Sequence, residues 1–231
     1  MLTGPLREDR PEILDQEGLS DRGLRILADL ERWNRLSGWT AGHMRRIEKH
    51  WEALGRPEPF RVLDVGTGPG ALLEAIAEHF ESRGVATELV GVDLSPTFAE
   101  KARSRLGDRA TVVEADATAL PFEDKAFHLG TTALMIHHLP KPLRPQVIAE
   151  LARTCDAAYV FDLEVTWTGA VGWAAVAGLL GMHADTRHDG VLSVRRACTL
   201  DEFRALCAPL KQEVRRVFPT AMVTGVRSQR H

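Results

Sequence analysis

The sequence predicts an α/β domain built on a doubly wound, mainly parallel sheet, and three observations carry that prediction. From Arg61 onward, short apolar runs alternate with helical patterns, the order that sets strands in parallel with helices on both faces. The first run ends in VLDVGTGPG, residues 62–70, a strand passing into a glycine loop that opens a helix. Finally, GRPEPF, residues 55–60, separates this alternation from two earlier helical patterns and reads as the entry to the main domain.

The elements follow in order. Leu24, Leu27, Leu30 and Trp33 recur at about one helical turn, and Met44, Ile47, Trp51 and Leu54 mark one buried face of a second helix. Residues 1–58 therefore form an N-terminal helical cap, and 59–231 the main domain. Strands are expected at 61–65, 88–92, 111–114, 127–132 and 157–162. Helices lie between them. The first, 70–82, carries Leu72, Leu73, Ile76, Ala77 and Phe80 on one face; the second opens with Ser95 as N-cap and Pro96 at its first position. Leu143, Val147, Ile148 and Leu151 mark a helix after the fourth strand. Residues 163–198 break the rhythm with a Gly- and Ala-rich apolar segment and then a polar stretch, and read as an insertion that closes over a substrate. Thr199 and Glu202 form a capping box for a helix to about 207, and runs at 212–217 and 221–227 make a hairpin around Pro219.

Composition narrows the function. The 231 residues are 44% hydrophobic with a net charge of -3, which gives no electrostatic reason to expect nucleic acid as a partner. Arg215, Arg216, Arg227 and Arg230 near the end read as solvated charges beside edge strands. Cys155, Cys198 and Cys207 include no CxxC pair, so neither a disulfide framework nor a structural zinc site is expected, and a reducing cytoplasm fits. The start, MLTGPLREDRPE, is no signal peptide, and Ala170 to Met182 is too short to span a bilayer. The expectation is a soluble monomer or homodimer acting on a small molecule, away from membranes.

The glycine loop is ambiguous by itself. Gly66, Gly68 and Ala71 satisfy the G-x-G-x-x-A dinucleotide pattern, and Asp93 ends the second strand where an acid binds ribose hydroxyls. Asp64, however, stands two residues before Gly66, where it would repel a pyrophosphate and favour an ammonium or sulfonium. In EADATALPF, 114–122, Asp116 lies just past the third strand, placed to accept from an adenine amino group while the Ala117 N–H donates to the ring. No second mononucleotide half follows strand five.

VLDVGTGPG, GVDLSPTFAEKAR (91–103), EADATALPF and TTALMIHHL (131–139), in this order and spacing, resemble class I S-adenosylmethionine-dependent methyltransferases. The resemblance spans about 60–165. It implies a seven-stranded sheet with the last strand antiparallel, and S-adenosylmethionine as cofactor with S-adenosylhomocysteine as product. It also implies that Gly66, Thr67, Gly68 and Gly70 lie against the methionine moiety, with Asp64 supporting the loop or the amine. It implies likewise that Asp93 takes the ribose hydroxyls, Leu94 packs on the adenine, Asp116 and Ala117 read its edge, and Thr131 and Thr132 close the site. More loosely, DLERWNRLSG (29–38) and RHDGVLSVRRA (187–197) look like small-molecule methyltransferases of polyketide and quinone pathways, which implies O-methylation of a hydroxylated ring. A non-catalytic binding protein, or another use of the cofactor, is the alternative.

Transfer from a sulfonium chiefly needs alignment and desolvation, and a phenol attacks faster once a base takes its proton. His137 and His138, past strand four, are the candidates, with His138 favoured. No metal role is expected, since Leu134 stands where a third, acidic ligand would complete the pattern. His188 with Asp189 could form a base and its orienter, against a plain Asx turn at Gly190. Arg195 and Arg196 could meet an acidic substrate or pair on the surface. Trp33, Trp39, Trp167, Trp173 and Met182 could wall a flat pocket or pack in the core, and His43 and His183 belong to the helical lid.

Overall fold

The computed structural model describes residues 7–17, 19–217 and 221–224. Its sheet runs in the order β3-β2-β1-β4-β5-β7-β6. The strands are β1 (Phe60–Val65), β2 (Thr87–Asp93), β3 (Thr111–Glu114), β4 (Phe127–Ala133), β5 (Cys155–Leu163), β6 (Val214–Val217) and β7 (Ala221–Thr224). The first five are parallel, and β7 pairs antiparallel with both β5 and β6. The predicted hairpin thus appears at 214–217 and 221–224; Pro219, Arg227 and Arg230 lie outside the described residues.

Period-two alternation splits the core between the two faces of the sheet. Phe60 and Val62 of β1, with Tyr159 and Phe161 of β5, pack against Met44 and Ile47 of α3 (Trp39–Ala53) and Leu73, Ile76 and Phe80 of α4 (Ala71–Glu81). Leu63, Val65, Ala158 and Val160 turn the other way, onto Val147, Ile148 and Leu151 of α6 (Arg144–Thr154) and Phe203 of α9 (Leu200–Cys207). Helix α5 (Pro96–Leu106) takes its predicted Ser95 cap and first-position proline, and α9 its Thr199–Glu202 capping box.

Four further helices gather beyond the carboxyl ends of the parallel strands. They are α1 (Ile13–Glu17), α2 (Asp21–Leu36), α7 (Trp167–Leu179) and α8 (Ala184–Arg196). In α2 the buried face is shifted from the expected one: Ile26 is buried and Leu24 exposed, while Leu27, Leu30 and Trp33 face a cavity. The polar stretch 187–197 is helical rather than a turn. Gly190 sits inside α8 and leans on Trp173 of α7, where an added Cβ would fall 1.9 Å from its Nε1. Tight packing by a glycine, rather than its turn propensity, explains that residue. No helix among the described residues is long and apolar enough to cross a membrane.

Candidate active site

Strand order reverses between β1 and β4, so the loops that follow these strands lie side by side at the sheet's carboxyl edge, where such folds bind ligands. Gly66, Gly68 and Gly70 all take positive φ, a region that disfavours any side chain. A Cβ on Gly66 would fall 2.3 Å from Met135 Cγ of the β4 loop, whereas one on Gly68 would meet nothing within 4 Å and would project into open space.

The loop is not a phosphate cradle. Gly66 and Thr67 donate their N–H groups to Val92 O at 2.8 and 2.9 Å, Gly68 donates to Asp93 Oδ2 at 2.8 Å, and Gly70 to Thr67 O at 3.0 Å. With these donors engaged inside the protein, the loop itself offers few N–H groups to a phosphate. Asp93 also accepts from Ser95 N at 2.9 Å through Oδ1, so one carboxylate ties the loop to β2 while keeping lone pairs for hydroxyl donors.

Asp64 lies beneath the loop, fully buried, and accepts from Thr131 Oγ1 at 2.7 Å. Burial raises its carboxyl to about 6, against the opposing hydrogen bond from Thr131. Thr131 and Thr132 are wholly buried and do not line the cavity; Ala133, Leu134 and Met135 do. The two threonines thus do not form the wall that they were expected to close, and Thr131 bonds Asp64 instead. Leu134 enters the turn at φ 58, a conformation that costs a non-glycine residue about 1–2 kcal/mol and is held by its N–H on Phe161 O at 2.8 Å. Asp116 is exposed and accepts from Thr118 N at 2.8 Å; it and Ala117 stand outside the lining, while Leu94, 67% exposed, is part of it.

One cavity of about 1560 Å³ runs from Gly66, Thr67, Gly68 and Asp93 to the helices above. Trp33, Trp39, Phe161 and Trp173 wall its far part, with Trp33 and Trp173 edge to face at 6.0 Å. His43 also lines it, tilted against Trp39 at 3.8 Å and bonded through Nδ1 to the Tyr159 hydroxyl at 2.6 Å. Burial lowers His43 to about 3 and keeps it neutral near pH 7.

Other expected substrate residues fall elsewhere. Trp167 is 53% exposed and absent from the wall. His188 and Arg195 border a separate surface hollow of about 380 Å³, because α8 turns them away from the face that carries Thr186, Asp189, Ser193 and Arg196. Asp189 does meet the His188 ring, Oδ1 to Nδ1 at 3.2 Å, but His188 borders the outer hollow and not the cavity. The Asp189 carboxylate caps α1 by accepting from Ile13 N and Leu14 N, both at 3.1 Å.

His137 and His138 sit on a short 3-10 turn after β4 and both line the cavity, their rings 4.3 Å apart. His137 is the buried one: Asp162 accepts its backbone N–H at 2.9 Å and its ring Nδ1. Burial would raise Asp162, but the pairing with His137 outweighs it and holds the carboxyl below its usual value. His138, favoured from sequence, is half-buried and bonds Asp15 Oδ1 at 2.5 Å. Two guanidiniums pin the turn. Arg144 donates to His137 O at 3.2 Å and Arg196 to His138 O at 2.7 Å.

Helix α1 brings Glu12 and Asp15 into this cluster. Glu12 Oε1 accepts no hydrogen bond and lies 3.7 Å from His137 Nε2, 3.9 Å from His138 Nδ1 and 3.7 Å from Arg196 Nη1. Burial raises Glu12 to about 7, against the pull of His138 and Arg196. Burial also opposes ionisation of Asp15, yet its bonds to His138 and Arg196 prevail and hold it far below the carboxylate range. Sequence reasoning missed Glu12, Asp15, Asp162 and Arg144. Only Asp162 carried a signal, as an acid at the end of a core strand; the others are joined by tertiary structure.

Residues 62–157 match the methyltransferase domain family. A malonyl-[acyl-carrier protein] O-methyltransferase of Geobacter sulfurreducens is 40% identical over 108 residues, covering 46% of this chain and 39% of its own length. A demethylmenaquinone methyltransferase of Thermus thermophilus is 36% identical over 125 residues, covering 53% and 49%. The match thus spans less than half the length of either relative. Among solved structures, that of the plantazolicin methyltransferase BpumL in complex with S-adenosylhomocysteine superposes with a TM-score of 0.67 over 93% of both chains at 14% identity, a likeness of fold. A glycine loop open at Gly68, its N–H groups satisfied internally and its rim carrying Asp93, fits an adenosyl sulfonium better than a pyrophosphate. The stretch 62–157 thus carries a methyltransferase domain, and S-adenosylmethionine is the cofactor that its loop suits.

Proposed function

We propose that the protein transfers a methyl group from S-adenosylmethionine to the oxygen of a small, flat, hydroxylated ring of the polyketide or quinone type. The observation that carries this reading is the single cavity joining the glycine loop and Asp93 to a chamber walled by Trp33, Trp39, Phe161 and Trp173, with the histidine pair between them. Its volume exceeds the roughly 300–1,000 Å³ of an ordinary ligand pocket, which suits two reactants held together. Aromatic walls favour a planar acceptor.

When bound, the cofactor supplies an electrophilic methyl group on a sulfonium. The protein's part is to align and dehydrate the reactants. The loop and Asp93 would hold the amino-acid and ribose portions, Leu94 the adenine, and Asp116 with Ala117 its edge from beyond the cavity. Residues 20–54 and 163–198 form the cap and lid over the acceptor, with Trp39 and His43 in contact with it. At the polar end His137 and His138 meet the acceptor's hydroxyl, and the proton displaced by methyl transfer stays within their cluster with Glu12 and Asp15. Three buried, free cysteines suit a reducing cytoplasm, and the protein works as a monomer or homodimer without nucleic acid or membrane.

The test is mass spectrometry of a phenol, quinol and amine panel incubated with protein and S-adenosylmethionine. A phenol or quinol that gains one methyl in place of a hydroxyl proton supports the reading; no methylated product with cofactor bound would favour a non-catalytic protein. Methylation of a ring carbon is a second reading, since one relative is named a demethylmenaquinone methyltransferase. Product fragmentation separates the two.

A further inference from the structure

We propose that Glu12, His137 and His138 form a binding site for one divalent transition-metal ion, of the zinc type, at the polar end of the cavity. One ligand atom from each lies within 4.8 Å of the other two. The measured separations from Glu12 Oε1, 3.7 Å to His137 Nε2 and 3.9 Å to His138 Nδ1, compare with about 3.4 Å between ligands on a tetrahedral ion with metal–ligand bonds near 2.1 Å. The two Glu12 separations need to shorten by only a few tenths of an ångström; the two imidazole nitrogens, within 4.8 Å of each other, would have to close by up to about 1.4 Å.

Three further features point to a cation. Glu12 Oε1 is buried and accepts no hydrogen bond, while it faces the two imidazoles; an acceptor in that state is costly unless something satisfies it. Asp162 holds His137 Nδ1, the outer carboxylate that typically fixes a metal-bound imidazole with its other nitrogen aimed at the ion. Asp15 and Asp162 each hold one of the two imidazoles, so two further carboxylates stand around the position that an ion would take.

Two groups oppose the site. Arg196 Nη1 is 3.7 Å from Glu12 Oε1, and His138 Nδ1 is engaged by Asp15 Oδ1. Asp15 answers both: its Oδ2 already accepts from Arg196 at 2.5 Å, so releasing His138 leaves Asp15 and Arg196 paired. Three protein ligands leave a position open toward the cavity. An acceptor hydroxyl bound there would be ionised by the metal in place of a protein base, its proton passing to solvent, and its oxygen held for attack on the methyl group. This role rests on the function proposed above; the binding of the ion does not.

The experiment is calorimetric titration of chelator-treated protein with Zn²⁺, repeated with Co²⁺ while the visible spectrum is followed. S-adenosylhomocysteine affinity is measured on the same preparations as a check of folding and of the cofactor reading. Expected are one equivalent of Zn²⁺, a four-coordinate Co²⁺ band, and affinity weakened at least about 100-fold in Glu12→Gln and about 10–100-fold in Asp162→Asn. Absence of stoichiometric binding to wild type, or unchanged binding in a Glu12→Gln protein that still binds S-adenosylhomocysteine, would overturn the site. Loss of S-adenosylhomocysteine binding by wild type would instead overturn the cofactor reading, whatever the metal does.

Discussion

Asp162 at the end of β5 accepts both the backbone N–H and the ring Nδ1 of His137, and both side chains are buried. That double contact fixes the imidazole with Nε2 toward the cavity. Removing the imidazole in His137→Ala would strand a buried carboxylate, at about 3–5 kcal/mol of stability, read by urea unfolding. Asp162→Asn keeps the shape while weakening orientation. Its turnover with an acceptor from the panel should fall about 10–100-fold, with S-adenosylhomocysteine affinity within a few-fold of wild type.

Gly66 and Gly68 should fail differently. Alanine at Gly66 brings a Cβ to 2.3 Å from Met135 Cγ at positive φ, so both stability and cofactor affinity drop. At Gly68 the added methyl enters open space at φ +53, costing about 1–2 kcal/mol of backbone strain but protruding where the cofactor lies. Gly68→Ala should therefore fold and bind S-adenosylhomocysteine at least about tenfold more weakly, a loss of about 1.4 kcal/mol. Affinity equal to wild type would remove the loop from the site.

The tryptophans divide by exposure. Trp167→Ala should change stability and turnover by no more than about 0.5 kcal/mol equivalent, as expected of a surface site. Trp173 packs edge to face with Trp33 and contacts Gly190, so Trp173→Ala should raise the acceptor's KM and lower the melting temperature. Equal behaviour of the two variants would contradict the chamber.

His50 provides a pH test. Burial lowers it to about 4, from about 6.5 unfolded, so the unfolded chain binds the extra proton first. Its neutral form contributes stability that is full above pH 6.5 and lost as pH falls through 6.5 toward 4. The destabilisation of His50→Gln relative to wild type should accordingly shrink by about 2–3 kcal/mol between pH 7 and pH 4. A constant difference would show that His50 is not held neutral.

The sheet was legible because its signals are local: alternating apolar runs, the Ser95–Pro96 start of α5 and the Thr199–Glu202 box all appear where expected. The glycine-loop end of the cavity was nearly as legible, since Gly66, Gly68 and Asp93 sit at strand ends and their places follow from strand order. Thr131 escaped correct assignment because alternation along β4 sends it inward onto Asp64 rather than into the cavity. The acceptor end was the least legible. The helical phase of α8 decides that Arg196 and not Arg195 faces the site, and 187–197 with its central glycine does not read as a helix. Glu12 and Asp15 reach His137 and His138 across more than 120 residues of chain, so no spacing rule could connect them.

The most direct test of the central claim is calorimetric titration of the wild-type protein and Asp93→Ala with S-adenosylhomocysteine. One site of micromolar affinity is expected in wild type, weakened at least about tenfold when the carboxylate that joins Gly68 to Ser95 is removed. No binding by wild type, or equal binding by the two proteins, would contradict it.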